Sequence, residues 1–226
     1  MRRFPFLLAP LLALLMFAAC SDDEPTPTRA VSTAVPTMTI ESGAATTTVV
    51  AARTATPIAT TAAARVDCTP GAALTPVQTE GPYYKPGAPE KANLAETGIA
   101  GTRLVVSGSV LTADCRPVAQ AKVDVWQADA AGAYDNAGYR LRGYVLTDAE
   151  GRYRFETIVP GEYPGRTPHI HVKVSAPNGP VLTSQLYVPG ETANQRDNIF
   201  DSALLLKDVQ TTSNGITARF DFIVRA

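Results

Sequence analysis

The sequence predicts an all-β domain, an antiparallel β-sandwich with long loops. Apolar and polar residues alternate with a period of two in run after run, the runs are short, and turn-forming residues separate them. Helical periodicity is confined to residues 203–207. Residues 104–111, Leu-Val-Val-Ser-Gly-Ser-Val-Leu, form the first strand and run into the turn-prone Ala-Asp-Cys-Arg-Pro. In residues 121–126, Val123 and Val125 share one face. Residues 144–147 lead through Asp-Ala-Glu-Gly151 into the alternating Arg-Tyr-Arg-Phe-Glu-Thr-Ile of residues 152–158. Residues 169–176, 182–188 and 217–224 are the remaining strands. Short strands at this spacing favour two packed sheets.

Residues 66–226 have the length of one domain with one core. Residues 1–20 read as an export signal: Arg2 and Arg3, then an apolar run, then small residues before Cys20. The apolar run falls short of the roughly 20 residues that span a bilayer. Phe17-Ala18-Ala19-Cys20 is similar to the lipobox of bacterial lipoproteins, whose cysteine carries the lipid. Phe17 stands where leucine is usual, so two outcomes stay open: a cell-envelope lipoprotein anchored through Cys20, or a secreted chain. Residues 21–65 are dominated by Thr, Ala, Pro, Ser and Val and bury too little apolar surface to order themselves. They read as a disordered tether whose ends lie roughly 35–40 Å apart.

Lysine and arginine total 20 against 21 acidic residues, a net charge of −1 that offers no basic patch for nucleic acid. Membrane contact is therefore expected only through a lipid at Cys20. Cys68 and Cys115 are the cysteines left in the domain, and an oxidising compartment favours their pairing. Two buried thiols or a cysteine metal ligand are the alternatives.

The only two histidines lie two residues apart, in Arg166-Thr-Pro-His169-Ile-His171. On a strand, residues i and i+2 project from one face, so both imidazoles can reach one point and chelate a metal. Ile170, Val172 and Val174 fall on the opposite face, suited to a core. The plain alternative is a half-exposed strand that carries two imidazoles. Tyr163 is crowded by proline and glycine in Pro160-Gly-Glu-Tyr163-Pro-Gly-Arg166, a turn that can hold its phenol near the pair. Trp126 reads as core packing.

Taken together, five ordered blocks resemble the intradiol ring-cleavage dioxygenases. They are Thr79-Glu-Gly-Pro-Tyr-Tyr84; Val123-Asp-Val-Trp-Gln-Ala128 with Gly132-Ala-Tyr134; Leu141-Arg142-Gly143 with the Thr-Asp-x-x-Gly turn; residues 160–171; and Ser184-Gln-Leu-Tyr187. The likeness is greatest to the exported, single-chain branch. It implies one Fe(III) per chain, held by Tyr134, Tyr163, His169 and His171, acting on a small catechol and O₂ to give a muconate-type diacid. Two phenolate oxygens suit Fe(III) better than Fe(II), and zinc is the main competing metal.

The resemblance implies further roles. Tyr163 is the phenolate that leaves when the catechol binds and takes up its proton. Arg166 stabilises charge developing on the substrate, against a solvent-facing turn arginine as the alternative. Gln185 hydrogen-bonds the reacting substrate, or is simply a satisfied sheet residue. Pro82, Tyr83 and Tyr84 line the mouth of the site, and Arg142 contacts substrate or makes a structural ion pair. Tyr83 or Tyr84 could replace Tyr134 as a ligand. A homodimer is compatible with the resemblance, and the substituents of the catechol stay open. Two other readings compete: a non-catalytic prealbumin-like binding or adhesion module on a tether, and a zinc hydrolase.

Overall fold

Strand faces with β-branched and aromatic residues on one side must bury that side, and two such sheets do so against each other. A computed structural model describes residues 67–226, so the signal segment, Cys20 and the tether over 21–65 lie outside the described residues. Among the described residues there are nine strands: β1 (Arg103–Thr112), β2 (Lys122–Gln127), β3 (Arg142–Leu146), β4 (Arg152–Ile158), β5 (His169–Ser175), β6 (Leu182–Tyr187), β7 (Lys207–Thr212), β8 (Gly215–Arg219) and β9 (Phe222–Val224). One sheet has the order β4-β1-β8-β7, with β9 also beside β1; the other is β3-β2-β5-β6. Val106, Val110, Tyr153, Phe155 and Phe222 from the first meet Val123, Val125, Ile170, Val172 and Leu186 from the second in one buried core.

The sandwich expected from the sequence is present, with two differences. The stretch over 217–224 is two strands, and both run parallel to β1, so the first sheet is mixed. β8 pairs with β1 from Leu104 to Ser107, and β9 pairs from Val110 to Thr112. Between them the Asp221 carboxylate takes the N–H of Ser109 at 2.8 Å, so a side chain replaces a rung of backbone bonding. Where helical periodicity was expected over 203–207, a short 3₁₀ turn (Ser202–Leu204) gives way to β7. Every residue of β7 is exposed, and its sequence Lys-Asp-Val-Gln-Thr-Thr carries no buried alternation to announce a strand.

Cys68 and Cys115 are disulfide-bonded with Cα atoms 5.7 Å apart, tying the start of the domain to the turn after β1. The bond closes a loop with a sequence separation of 47. A loop of that size is worth about 4 kcal/mol by restriction of the unfolded chain. Reduction, or Cys68→Ser with Cys115→Ser, should therefore lower the thermal midpoint without changing the sheet content seen by circular dichroism. An unchanged midpoint would contradict this.

Residues 75–94 form no strand and instead cross the outer face of the second sheet. Backbone bonds mark the route: Thr75 to Ile223, Gln78 to Thr183 on β6, Lys91 to Tyr144 on β3, and Leu94 to Glu156 on β4. Residues 79–84 are thereby laid over the middle of that sheet.

Candidate metal centre

The pairing register of the second sheet builds one wall of the site. Trp126 lies opposite Arg142 on one side and His171 on the other, and His171 lies opposite Gln185. These four residues form a single row across four strands, and each is at most 1% exposed. The inward residues of β2 and β5 enter the core, so this row faces outward, under the strap of residues 79–84. His169 stands one step further along β5, opposite Tyr187.

The two imidazoles converge, with Nε2 atoms 3.0 Å apart. His169 Nδ1 lies 2.6 Å from the Thr167 carbonyl oxygen, which can only accept, so Nδ1 carries the proton and Nε2 a lone pair. Burial lowers the His169 pKa to about 4, with the Thr167 bond opposing it. Burial, then the neighbouring His169, pushes His171 well below the ordinary histidine value. Both rings are neutral near pH 7, the form that binds metal. Two nitrogens each ~2.0–2.1 Å from a metal and at right angles would lie about 2.9 Å apart, close to the spacing found. Trp126 stacks on His171 at 4.8 Å and 7° and fixes the ring plane. Trp126 is buried and packs as expected, but in this wall and outside the cluster between the sheets.

Two phenols complete the ring. Tyr163 lies 5.6 Å from His169, Tyr134 lies 6.2 Å from His171, and the two phenols are 5.8 Å apart, all between ring centroids. The Tyr134 hydroxyl is buried with no hydrogen-bond partner. Burial, then the nearby Tyr163, raises its pKa, so a cation is needed to stabilise its anion. Burial also raises Tyr163, but the Arg166 guanidinium 3.3 Å from its oxygen opposes the shift. A buried hydroxyl with no partner beside two imidazole lone pairs fits a hard trivalent cation. Among the described residues, no group of three or more His, Cys, Asp or Glu is placed to hold a metal, so a metal held at the imidazole pair would need the phenols as further donors.

The loops that carry these phenols touch because of Gly132. A Cβ there would overlap the Glu162 carbonyl oxygen, and its φ of +81° favours glycine. Asp129 joins the same loops: its carbonyl accepts from Gly132 and Gly161, and its carboxylate accepts from Ala131 and Ala133. Tyr83 stacks on Tyr134 at 4.3 Å and 17°, and Pro82 is exposed beside it at the rim. Tyr84 is turned elsewhere, with its hydroxyl 3.3 Å from Asp124 and its ring edge-on to Trp126, which leaves it no reach to the imidazoles.

Arg166 is tied on three sides: Nε to Asp197 at 2.9 Å, Nη2 to Gln185 at 2.6 Å, and Nη1 toward Tyr163. Burial alone would raise the Asp197 carboxyl, but the N–H groups of Ile199 and Thr167 and the Arg166 guanidinium hold it below the usual range. A cavity of about 360 Å³ opens beside this group, lined by Tyr163, Arg166, Thr167 and Asp197. Gln185 is occupied at both ends, accepting from Arg166 and Tyr187 and donating to the Thr79 carbonyl at 3.0 Å. In this arrangement it holds Arg166 and the strap, as a satisfied residue of the sheet. Arg142 donates to the carbonyls of Tyr83 at 2.6 Å and Asp135 at 2.9 Å and is 1% exposed. It braces the loops of Tyr83 and Tyr134 through these two bonds.

Thr167, Asp197 and Gly81 escaped the sequence reading. Asp197 is 31 residues from the arginine it orients, so spacing gives no sign of it. Gly81 has φ +70°, and a Cβ on it would lie 3.2 Å from His171 Cε1. The Gly-Pro that follows Glu80 was the available signal for so close a pass.

A family model described as dioxygenase matches residues 79–226. The chain is 36% identical over 153 residues to the protocatechuate 3,4-dioxygenase beta chain of Burkholderia cepacia, covering 55% of this chain and 65% of that one. It is 35% identical over 143 residues to catechol 1,2-dioxygenase 2 of Acinetobacter lwoffii, covering 52% of each. It thus spans about half to two thirds of the length of these curated relatives. Among solved structures, it is similar to the dioxygenase domain of a dioxygenase carbohydrate-binding protein fusion from Streptomyces sp. SirexAA-E. That match has 47% identity and a TM-score of 0.66, covering 68% of this chain and 99% of the other.

Proposed function

The chain belongs to the intradiol ring-cleavage dioxygenase family, and on that premise we propose that it opens a catechol-type ring with O₂ between the two hydroxyl-bearing carbons, giving a muconate-type diacid. The observation that carries this reading is the Tyr134 hydroxyl, buried and unpartnered on a ring that lies beside His171, whose imidazole converges with that of His169. Tyr134, Tyr163, His169 and His171 would hold one Fe(III). What Fe(III) supplies when bound is Lewis acidity, which keeps the phenols ionised and draws electron density from the catechol oxygens.

The remaining work falls to the chain itself. Tyr163 is the phenol suited to exchange a proton with the substrate hydroxyl, because Arg166 faces its oxygen and offsets the effect of burial. Arg166, held by Asp197 and Gln185, keeps a fixed cation at the site, where negative charge develops as the ring reacts. Tyr83 and Pro82 shape the mouth and limit water. An activity outside the cytoplasm is part of the same proposal; the Cys68–Cys115 disulfide and the signal-like residues 1–20 support it.

Purified protein should hold about one iron per chain, be red-brown from phenolate-to-iron charge transfer, and consume O₂ with at least one of catechol, hydroxyquinol or protocatechuate. Mass spectrometry should then find the substrate plus both oxygen atoms. A protein that stays colourless after iron reconstitution and consumes no O₂ with any catechol would overturn the proposal.

A further inference from the structure

Beyond the row that carries His171, the next outward row of the second sheet is Tyr144, Asp124, Lys173 and Thr183. It carries a compact set of charges that neither the metal site nor the core uses. The Lys173 ammonium forms an ion pair with Glu80 and lies 3.6 Å from the centroid of the Tyr84 ring. Asp124, 5% exposed, accepts from Tyr84 at 3.3 Å and faces Lys122 at 3.5 Å. One ammonium thus grips the strap at residues 80 and 84, on both sides of its pass over the metal site.

Between those anchors the strap has little slack. Gly81 rides on the His171 ring, and Tyr83 stacks on Tyr134. Tyr84 packs on Trp126, which itself stacks on His171. The backbone is fastened on either side by Gln185 at Thr79 and by Arg142 at Tyr83. None of these bonds holds the Glu80 side chain or the face of the Tyr84 ring. Lys173 does both, and its side chain is only 21% exposed, so the ion pair and cation–π contact are partly shielded from water.

We propose that Lys173 is a positioning residue: its ammonium clamps residues 80–84 over His171 and thereby sets the Tyr83 wall through which a catechol enters. The clamp is a property of the fold, and its effect on catechol binding rests on the function proposed above. Lys173 touches neither the imidazoles nor a substrate directly. Its loss should loosen the mouth and leave the chemistry intact, raising KM with little change in kcat.

The test compares Lys173→Met and Lys173→Arg in the iron-loaded protein. Hydrogen–deuterium exchange should quicken about tenfold in a peptide spanning residues 79–85 of the methionine variant, the factor a shielded cation–π contact is worth. Exchange in β2 and β5 should not change. KM for catechol should rise by a similar factor with kcat within about twofold, and Lys173→Arg should restore both. Equal exchange and equal KM in wild type and Lys173→Met would overturn the proposal. If Lys173→Met exchanges faster throughout the sheet, Glu80→Gln replaces it, and unchanged exchange over residues 79–85 in that variant is equally fatal. Should the wild type turn over no catechol, the exchange measurement still decides the clamp, and only the proposed reaction is lost.

Discussion

Replacing Tyr134 with phenylalanine should remove most of the bound iron and lower kcat/KM by a factor on the order of 10³, while making the metal-free protein more stable. The two effects have opposite signs because one hydroxyl is responsible for both. With a trivalent cation, the buried phenol ionises and becomes a ligand. Without one, it is a polar group left without a partner, and such a group costs about 1–3 kcal/mol. Removing it should raise the midpoint of the metal-free domain by a few degrees (roughly 2–4 °C per kcal/mol). Tyr83→Phe should keep iron and colour, because Tyr83 meets the site through its ring, stacked on Tyr134. If Tyr134→Phe retains one iron and its visible band while Tyr83→Phe loses them, the ligand assignment fails.

Gly132→Ala is the second substitution expected to have a large effect, and Gly165→Ala shows why. The two glycines share nearly the same backbone angle, φ +81° and +80°, so an alanine meets similar dihedral strain at each. They differ in what surrounds them: nothing lies within 4 Å of a Cβ at Gly165, whereas at Gly132 it would overlap the Glu162 carbonyl. Gly165→Ala should cost about 1 kcal/mol, the ordinary penalty of a left-handed alanine. Gly132→Ala should cost at least about 3 kcal/mol, because backbone has to move. That movement separates the loops of Tyr134 and Tyr163, so the surviving folded fraction should be pale and poor in iron. Denaturant unfolding with iron analysis checks both expectations. Equal destabilisation by the two substitutions would mean that strain, and not contact between the loops, makes Gly132 necessary.

The sequence made legible those features that repeat or crowd together. Alternation identified β1, β2, β4, β5 and β6 because their inward residues meet one core. The histidine pair was visible because a strand repeats every second residue, and Tyr163 because Pro and Gly enclose it. β7 stayed hidden because it buries nothing. The break between β8 and β9 stayed hidden because a carboxylate, Asp221, stands in for backbone pairing. Asp197, Lys173 and the occupied ends of Gln185 depend on contacts between residues far apart in the chain, which no local pattern encodes. Arg142 stands between these cases: its motif marked it for substrate contact or a structural ion pair, and its bonds to the Tyr83 and Asp135 carbonyls are contacts no local pattern encodes.

The parallel pairing of β8 and β9 with β1 also bears on how the chain reaches this state. Leu104 finds its partner Ile216 more than a hundred residues later, and Thr112 waits just as long for Val224. Contacts so distant in sequence pay their loop-closure entropy late and slow folding. Until β8 and β9 are in place, β1 has β4 on one edge and nothing on the other, so closure of the first sheet waits on contacts that span the whole domain.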